Sequence, residues 1–391
     1  MRTTDARYAL LGIALFLSAS RVPGQTETPR ARFEAILQQF ATAQAAYSKQ
    51  LEDAGDAAAQ AKIFREQSPH PVFALRLLEL AKAHPDDAVA HDCLSWIALN
   101  SECGPQCEAP YEQAMTLLAR HHAGHKDSEK HFETMLESAF LSTGTYLEAV
   151  FEKHPSADVR GRAGLHLALF LKHYCEVADR LRTLPENAQN AEKFMGAALV
   201  KKLAATDPAP LLRRAEQALV RVQREYGLVE YKKTILARVA DAELFELRHL
   251  AVGKAIPEID GEDTTGNKLK LSEQRGKVVV LVFWGTWCPH CVKMIPQERA
   301  LVKRYAGQPF ALLGVNNDSD KEKLKAFFAK QDMTWPSFHD PNDAIATRWN
   351  IKGWPAVFVI DAQGIIRHRH LRGELLDRAV EELVKEANAK K

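Results

Sequence analysis

Several absences narrow what this chain is. Charge of one sign is not in excess: 52 Lys and Arg stand against 50 Asp and Glu, a formal net charge of +2. Basic residues are interspersed with acidic ones, so no polyanion or nucleic-acid partner is expected. Beyond the amino terminus no stretch is long and apolar enough to cross a membrane. Cysteine is scarce, six in 391 residues, and none lies in the amino-terminal segment, which excludes a lipoprotein leader. Neither closely spaced pair, Cys103/Cys107 or Cys288/Cys291, is followed by histidine; Glu108 and Val292 hold those places, so covalent haem attachment is excluded. A structural zinc site would need further cysteines or histidines beside Cys288 and Cys291, and no second CxxC supplies them. Neither a metal nor an organic cofactor is expected.

What is present suits a soluble globular protein of two or three domains, with 26% charged and 46% hydrophobic residues. Arg2 and Arg7 precede the short apolar run 8–17, and small residues Ser18-Ala19-Ser20 follow it. That order predicts a secretory signal peptide over 1–24, cleaved after Ser20 or Gly24, and an exported, periplasmic or extracytoplasmic body. An uncleaved anchor is the alternative, disfavoured because the run is short for a span. An exported protein invites cysteine pairing. Gly104-Pro105 marks a turn that would let Cys103 and Cys107 close a small structural disulfide, with two free thiols as the alternative. Cys93 and Cys175 sit in helix-like apolar stretches and read as buried small hydrophobes.

Residues 25–249 read as an α-helical, repeat-like domain. Ala, Leu, Glu, Lys and Arg dominate, glycine is sparse, and apolar residues recur every three or four positions. Breaks fall at His84-Pro85, His122-Ala123-Gly124, His154-Pro155 and Leu184-Pro185, a loose period within the range of helical-hairpin repeats. Lys82-Ala83-His84-Pro85-Asp86-Asp87 resembles the end-of-repeat punctuation of tetratricopeptide-like arrays, so a short α-solenoid is predicted. The prolines argue against one long coiled coil. His121, His122 and His125 read as a solvated helix end rather than metal ligands, and the charged runs as exposed helix faces.

From residue 250 the pattern changes to strands with turns, and 250–391 reads as a second domain. Its centre is the apolar run 278–283, followed by Trp287-Cys288-Pro289-His290-Cys291 at what reads as a helix start. The first turn of a helix has unpaired N–H groups and the positive end of the dipole, which favour a thiolate. A second thiol one turn on can attack the mixed disulfide formed by the first and release its partner. Cys288 is therefore the expected attacking thiolate and Cys291 the resolving thiol. His290, if cationic, would favour the thiolate, so Cys288 is expected to titrate well below the roughly 8.5 of a free thiol.

The surrounding pattern resembles the TlpA-like (ResA-like) extracytoplasmic disulfide reductases of the thioredoxin fold. The resemblance rests on Gly253-Lys254-Ala255-Ile256-Pro257-Glu258-Ile259, Phe283-Trp284-Gly285-Thr286-Trp287-Cys288, Pro296 five residues after Cys291, and Gly353-Trp354-Pro355 before an apolar strand. It implies a central sheet flanked by helices, with Pro355 in the cis form beside the cysteines. It also implies protein thiol or disulfide substrates; an exported space offers no glutathione pool of cytosolic type, so a membrane-borne electron donor or acceptor is expected. Strands are expected at 278–284, 310–315, 356–360 and 365–371, and helices at 289–305, 321–330, 343–349 and 375–389. Trp287, Trp354 and Pro355 are expected to rim the sulfur and hold substrate, and Trp284 to pack in the core.

Two departures stand out. Val282 occupies the position of the thioredoxins' buried acid, and Met294 that of the glutamate which ResA-like proteins carry after the second cysteine. Slow proton removal from Cys291 is the expected consequence. The His290 dipeptide resembles that of oxidising disulfide donors, so the direction of exchange stays open. A peroxidase reading has little support: Gly285 and Leu281 hold the places where peroxiredoxins have a hydroxyl residue and a proline. A helical interaction scaffold with a weakly active second domain is the other alternative.

Overall fold

The computed structural model describes residues 27–100 and 105–389. The expected leader over 1–24 and Cys103, the expected partner of Cys107, lie outside the described residues.

The amino-terminal region is helical, in segments whose ends are written in the sequence. Helices run α1 (Pro29–Asp53), α2 (Ala57–Gln67), α3 (His70–Ala83), α4 (Ala88–Leu99), α5 (Glu108–His121) and α6 (Phe132–Met135). They continue with α7 (Ser142–Lys153), α8 (Ala157–Thr183), α9 (Pro185–Met195), α10 (Ala197–Ala204), α11 (Pro208–Tyr226) and α12 (Leu236–His249). Side chains of Thr28, Asp56, Asp87, Ser156 and Asp207 each accept a hydrogen bond from a first-turn backbone N–H. Helices α3, α4, α5, α7, α8, α11 and α12 pack each on the one before. The long α8 is the spine; a Cβ at Gly164 would lie 2.7 Å from Phe151 of α7 and Val222 of α11. Glycine there permits both crossings. A two-residue hairpin, β1 (Glu230–Tyr231) with β2 (Thr234–Ile235), interrupts the helices before α12. The helical periodicity around it gave no sign of that hairpin.

The carboxy-terminal region is α/β. A small hairpin pairs β3 (Asp260–Glu262) with β4 (Lys268–Lys270) across the turn expected there. The Asp263 carboxylate holds that turn, accepting from the N–H groups of Thr265 and Asn267. The main sheet contains β5 (Val278–Trp284), β6 (Phe310–Asn316), β7 (Ser337–His339), β8 (Ala356–Ile360) and β9 (Ile366–Arg369), in the order β7-β6-β5-β8-β9. β6 runs parallel to β5 and β7, whereas β8 is antiparallel to β5 and β9. Helices α13 (Pro289–Arg304), α14 (Lys321–Lys330), α15 (Ala344–Arg348) and α16 (Gly373–Ala389) complete the domain.

The run 278–284 is apolar throughout because both faces of β5 are covered. Val278, Val280, Val282 and Trp284 join one core with Ile295 of α13 and Leu376 and Val380 of α16. Val279, Leu281 and Phe283 join another with Trp349 and Leu250. Phe245 of α12 packs on that second core, so α12 belongs to both regions.

Charged groups bind α12 on both sides. Glu243 and Glu246 both bond Lys172 of α8, Glu246 at 3.0 Å. Across the other side Glu243 pairs with Lys352 and accepts from Asn350 Nδ2 at 3.1 Å. Arg369 of β9 reaches Glu246 at 2.7 Å. These glutamates are buried, not part of an exposed face as their polar surroundings in sequence suggested. The histidine group is also more enclosed than expected: His122 is buried, His125 stacks on His91, and His121 bonds Asp86 at 2.9 Å.

Candidate active site

β5 ends at Trp284, and the chain turns through 285–287 before α13 begins. Cys288 is extended (φ −95°, ψ 105°) and caps α13, its sulfur accepting from the Cys291 N–H at 3.1 Å. Pro289 follows at the first helical position, where a missing N–H is harmless. Cys291 lies one turn in, and the two sulfurs are joined in a disulfide with a Cα–Cα separation of 5.3 Å. Both cysteines are nearly enclosed, 4% and 2% exposed. The backbone N–H aimed at Cys288 and the helix dipole are the features that stabilise a thiolate there.

The turn carrying Cys288 is fastened to the loop after β6. Thr286 donates its N–H to Asp318 Oδ2 at 2.8 Å and its hydroxyl to Oδ1 at 2.6 Å. Asn316 Nδ2 donates to the same carboxylate at 2.7 Å. Trp287 is 56% exposed and donates Nε1–H to Asn317 Oδ1 at 3.0 Å. Trp284 is buried and donates to Ser337, as a core residue would. Replacing Asp318 with alanine leaves the Thr286 N–H and hydroxyl without their acceptor and the Asn316 amide with only the Trp284 carbonyl at 3.5 Å. A loss of about 1–3 kcal/mol is expected, measurable by urea unfolding of the oxidised protein.

Pro355 enters from the other side of β5. The Trp354–Pro355 peptide bond is cis. Ala356 pairs with Phe283, so Pro355 lies at the end of the sheet from which the Cys288 turn departs. Arg372 donates to the Pro355 carbonyl at 3.1 Å. Trp354 packs on the core containing both cysteines and meets Trp287 edge to face, ring centroids 5.8 Å apart. Its backbone N–H and C=O have no hydrogen-bond partner among the described residues. The structure thus gathers Cys288, Cys291, Trp287, Trp354 and Pro355 at one sheet end. His290 is exposed on the first turn of α13, and its side chain has no hydrogen-bond partner among the described residues.

The remaining cysteines stand apart. Cys93 and Cys175 are free and buried, and burial pushes both thiols up to about 12, which leaves them protonated and inert. Cys107 is buried as well. Among the described residues no histidine, cysteine and carboxylate cluster is arranged to hold a metal ion.

Sequence reasoning passed over one group. Glu298 of α13 is 4% exposed, and burial pushes its carboxyl up to about 8. The polar neighbourhood Gln297-Glu298-Arg299 suggested an exposed face; its seven-residue spacing from Cys291 was the available signal.

Comparison with known proteins places the same region in a known family. Residues 252–369 match the model described as the AhpC/TSA family. The thiol-disulfide oxidoreductase ResA of Geobacillus kaustophilus is 33% identical over 118 residues, covering 30% of this chain and 68% of that protein. The thioredoxin-like protein YneN of Bacillus subtilis is 30% identical over 122 residues, 30% of this chain and 71% of its own length. The crystal structure of the thioredoxin domain of a thiol-disulfide oxidoreductase from Bacteroides vulgatus is 28% identical. It covers 34% of this chain and 98% of that domain, with a TM-score of 0.33.

Proposed function

We propose that this chain, which belongs through its C-terminal domain to the ResA-like thiol–disulfide oxidoreductases, is an exported enzyme that exchanges disulfides with protein substrates. The observation that carries this reading is the capped, disulfide-bonded pair at the head of α13, facing the cis-proline strand. Cys288 is the attacking sulfur, since it receives the helix N-terminus, and Cys291 resolves the mixed disulfide one turn further on. The unpartnered backbone of Trp354 suits an incoming extended peptide added beside β8, with Trp287 and Trp354 as its apolar contacts. His290 stands exposed on the first turn of α13, two residues after Cys288, where a cationic side chain favours a thiolate.

Export rests on the leader pattern at 1–24, and among the described residues no helix is long and apolar enough to cross a membrane. The division into a helical domain over 25–249 and a thioredoxin-like domain over 250–391 goes with this reading, α12 being the element held by both. The helical domain would present substrates, and a membrane-borne carrier would supply or remove electrons.

The test is turnover of the full chain against insulin disulfides with dithiothreitol, a reduced cysteine peptide, and hydrogen peroxide. Exchange with either thiol substrate supports the proposal. Peroxide consumption alone would make the protein a peroxidase. No turnover, with a substrate protein still held by the helical region, would make it a scaffold.

A further inference from the structure

Helix α13 buries Cys291, Met294, Ile295, Glu298 and Leu301. Those spacings of three, four, seven and ten form one stripe turned to the core. It packs against the face of β5 that presents Val278, Val280 and Val282. Four members of the stripe are what such a core takes; the other is a carboxyl. The Glu298 carboxyl has no hydrogen-bond or ion-pair partner among the described residues, and burial raises its pKa to about 8. Leucine, methionine or glutamine would fill the place without an ionisable group, so packing does not explain the acid.

Exchange at this site has a matching need. When an incoming thiolate opens the disulfide at Cys288, the bond's electron pair goes to Cys291, a sulfur 2% exposed to solvent. That thiolate must gain a proton, and must lose it again when Cys291 attacks the mixed disulfide. Val282, Met294 and Ile295, which share its core, carry no transferable proton. Glu298 stands two turns below on the same face, an axial rise of about 10 Å. Helical side chains lean towards the helix N-terminus, here towards Cys291, and the role requires water to relay the proton over the remainder.

We propose that Glu298 holds the proton of the resolving thiol: its carboxylic acid protonates Cys291 as that sulfur leaves, and its carboxylate takes the proton back when Cys291 attacks. This rests on the exchange reading above. The balance closes in both directions. With a substrate dithiol, the two substrate sulfurs are oxidised to a disulfide and the Cys288–Cys291 bond is reduced; one proton passes from Glu298 to Cys291, and both substrate thiol protons go to solvent, which leaves Cys288 as the thiolate and Glu298 as the carboxylate. The reverse returns it. Glu298 acts through an intervening group, so it is a positioning residue for the proton.

The experiment is stopped-flow reduction of the oxidised full chain by dithiothreitol between pH 5.5 and 9.5, followed by tryptophan fluorescence. Rates are divided by dithiothreitol thiolate concentration. The wild-type rate per thiolate should fall as the pH rises through about 8, where Glu298 loses its proton. Glu298→Gln should be at least about tenfold slower below that pH and flat through it. Glu298→Met, which continues the apolar stripe, should behave as Glu298→Gln does and covers a failure of the glutamine variant to fold. Variants that keep the wild-type rate and the same inflection overturn the role of Glu298 while leaving the exchange site standing. A wild type that dithiothreitol does not reduce overturns the exchange reading itself.

Discussion

Cys288→Ser should lose thiol–disulfide exchange by at least about three orders of magnitude, because no other accessible sulfur among the described residues can take its place. Cys93 and Cys175 are buried and held protonated, and Cys291 lies deeper in α13 than Cys288. Cys291→Ala should fail differently. Its Cys288 still attacks a substrate disulfide, but nothing resolves the adduct, so a mixed disulfide with insulin accumulates. Non-reducing electrophoresis with mass spectrometry reads both results: an adduct on Cys288 in Cys291→Ala, and none in Cys288→Ser. Adduct on Cys288→Ser, or equal turnover by all three proteins, would remove Cys288 from the role assigned to it.

Lys172→Met should destabilise the fold strongly. Lys172 is buried between Glu243 and Glu246, and those glutamates also hold Asn350, Lys352 and Arg369 of the other domain. Burial alone would raise the Glu246 carboxyl, but Lys172 and Arg369 outweigh it and hold the group down at about 2. Removing the lysine leaves buried carboxylates short of a partner, a loss of about 3–5 kcal/mol. The folded-state pKa of Glu246 is depressed, so its contribution is present above the usual glutamate pKa of about 4.3 and fades as pH falls towards 2. Glu298 has the opposite sign. Its pKa is raised, so the folded state loses stability as pH rises from the usual glutamate value through about 8. Urea unfolding of wild type and Lys172→Met at pH 7 and pH 3 checks the account: the gap between the two proteins should shrink at the lower pH.

The parts of this fold that sequence makes legible are those whose cause is local. A strand covered on both faces must be apolar at every position, and 278–284 is. A cap-and-turn chemistry at Cys288-Pro289 starts α13, and Lys321–Lys330 begins three residues after Asp318-Ser319-Asp320 opens with a capping aspartate at 320. The cis form of Pro355 came only through resemblance, because local propensity favours trans. What escaped depends on partners far along the chain. Glu243 and Glu246 sit in a charged helical stretch, and nothing near them announces Lys172, Lys352 or Arg369. Glu298 stands among polar neighbours, and only the stripe set by Cys291, Met294 and Ile295 shows that it faces inward. The missing acids at Val282 and Met294 are visible in the sequence; the acid one further turn along the same stripe is masked by its polar neighbours.

The reduction potential of the Cys288–Cys291 pair tests the central claim most directly. The full chain would be equilibrated against glutathione and dithiothreitol buffers, and the thiols counted by alkylation and mass spectrometry. A working exchange centre at a helix N-terminus should show one two-electron transition between roughly −270 and −120 mV, the range spanned by thioredoxin and the strong oxidants. A pair that stays oxidised below about −300 mV would be a structural disulfide, and the account of this site as a catalytic one would be wrong.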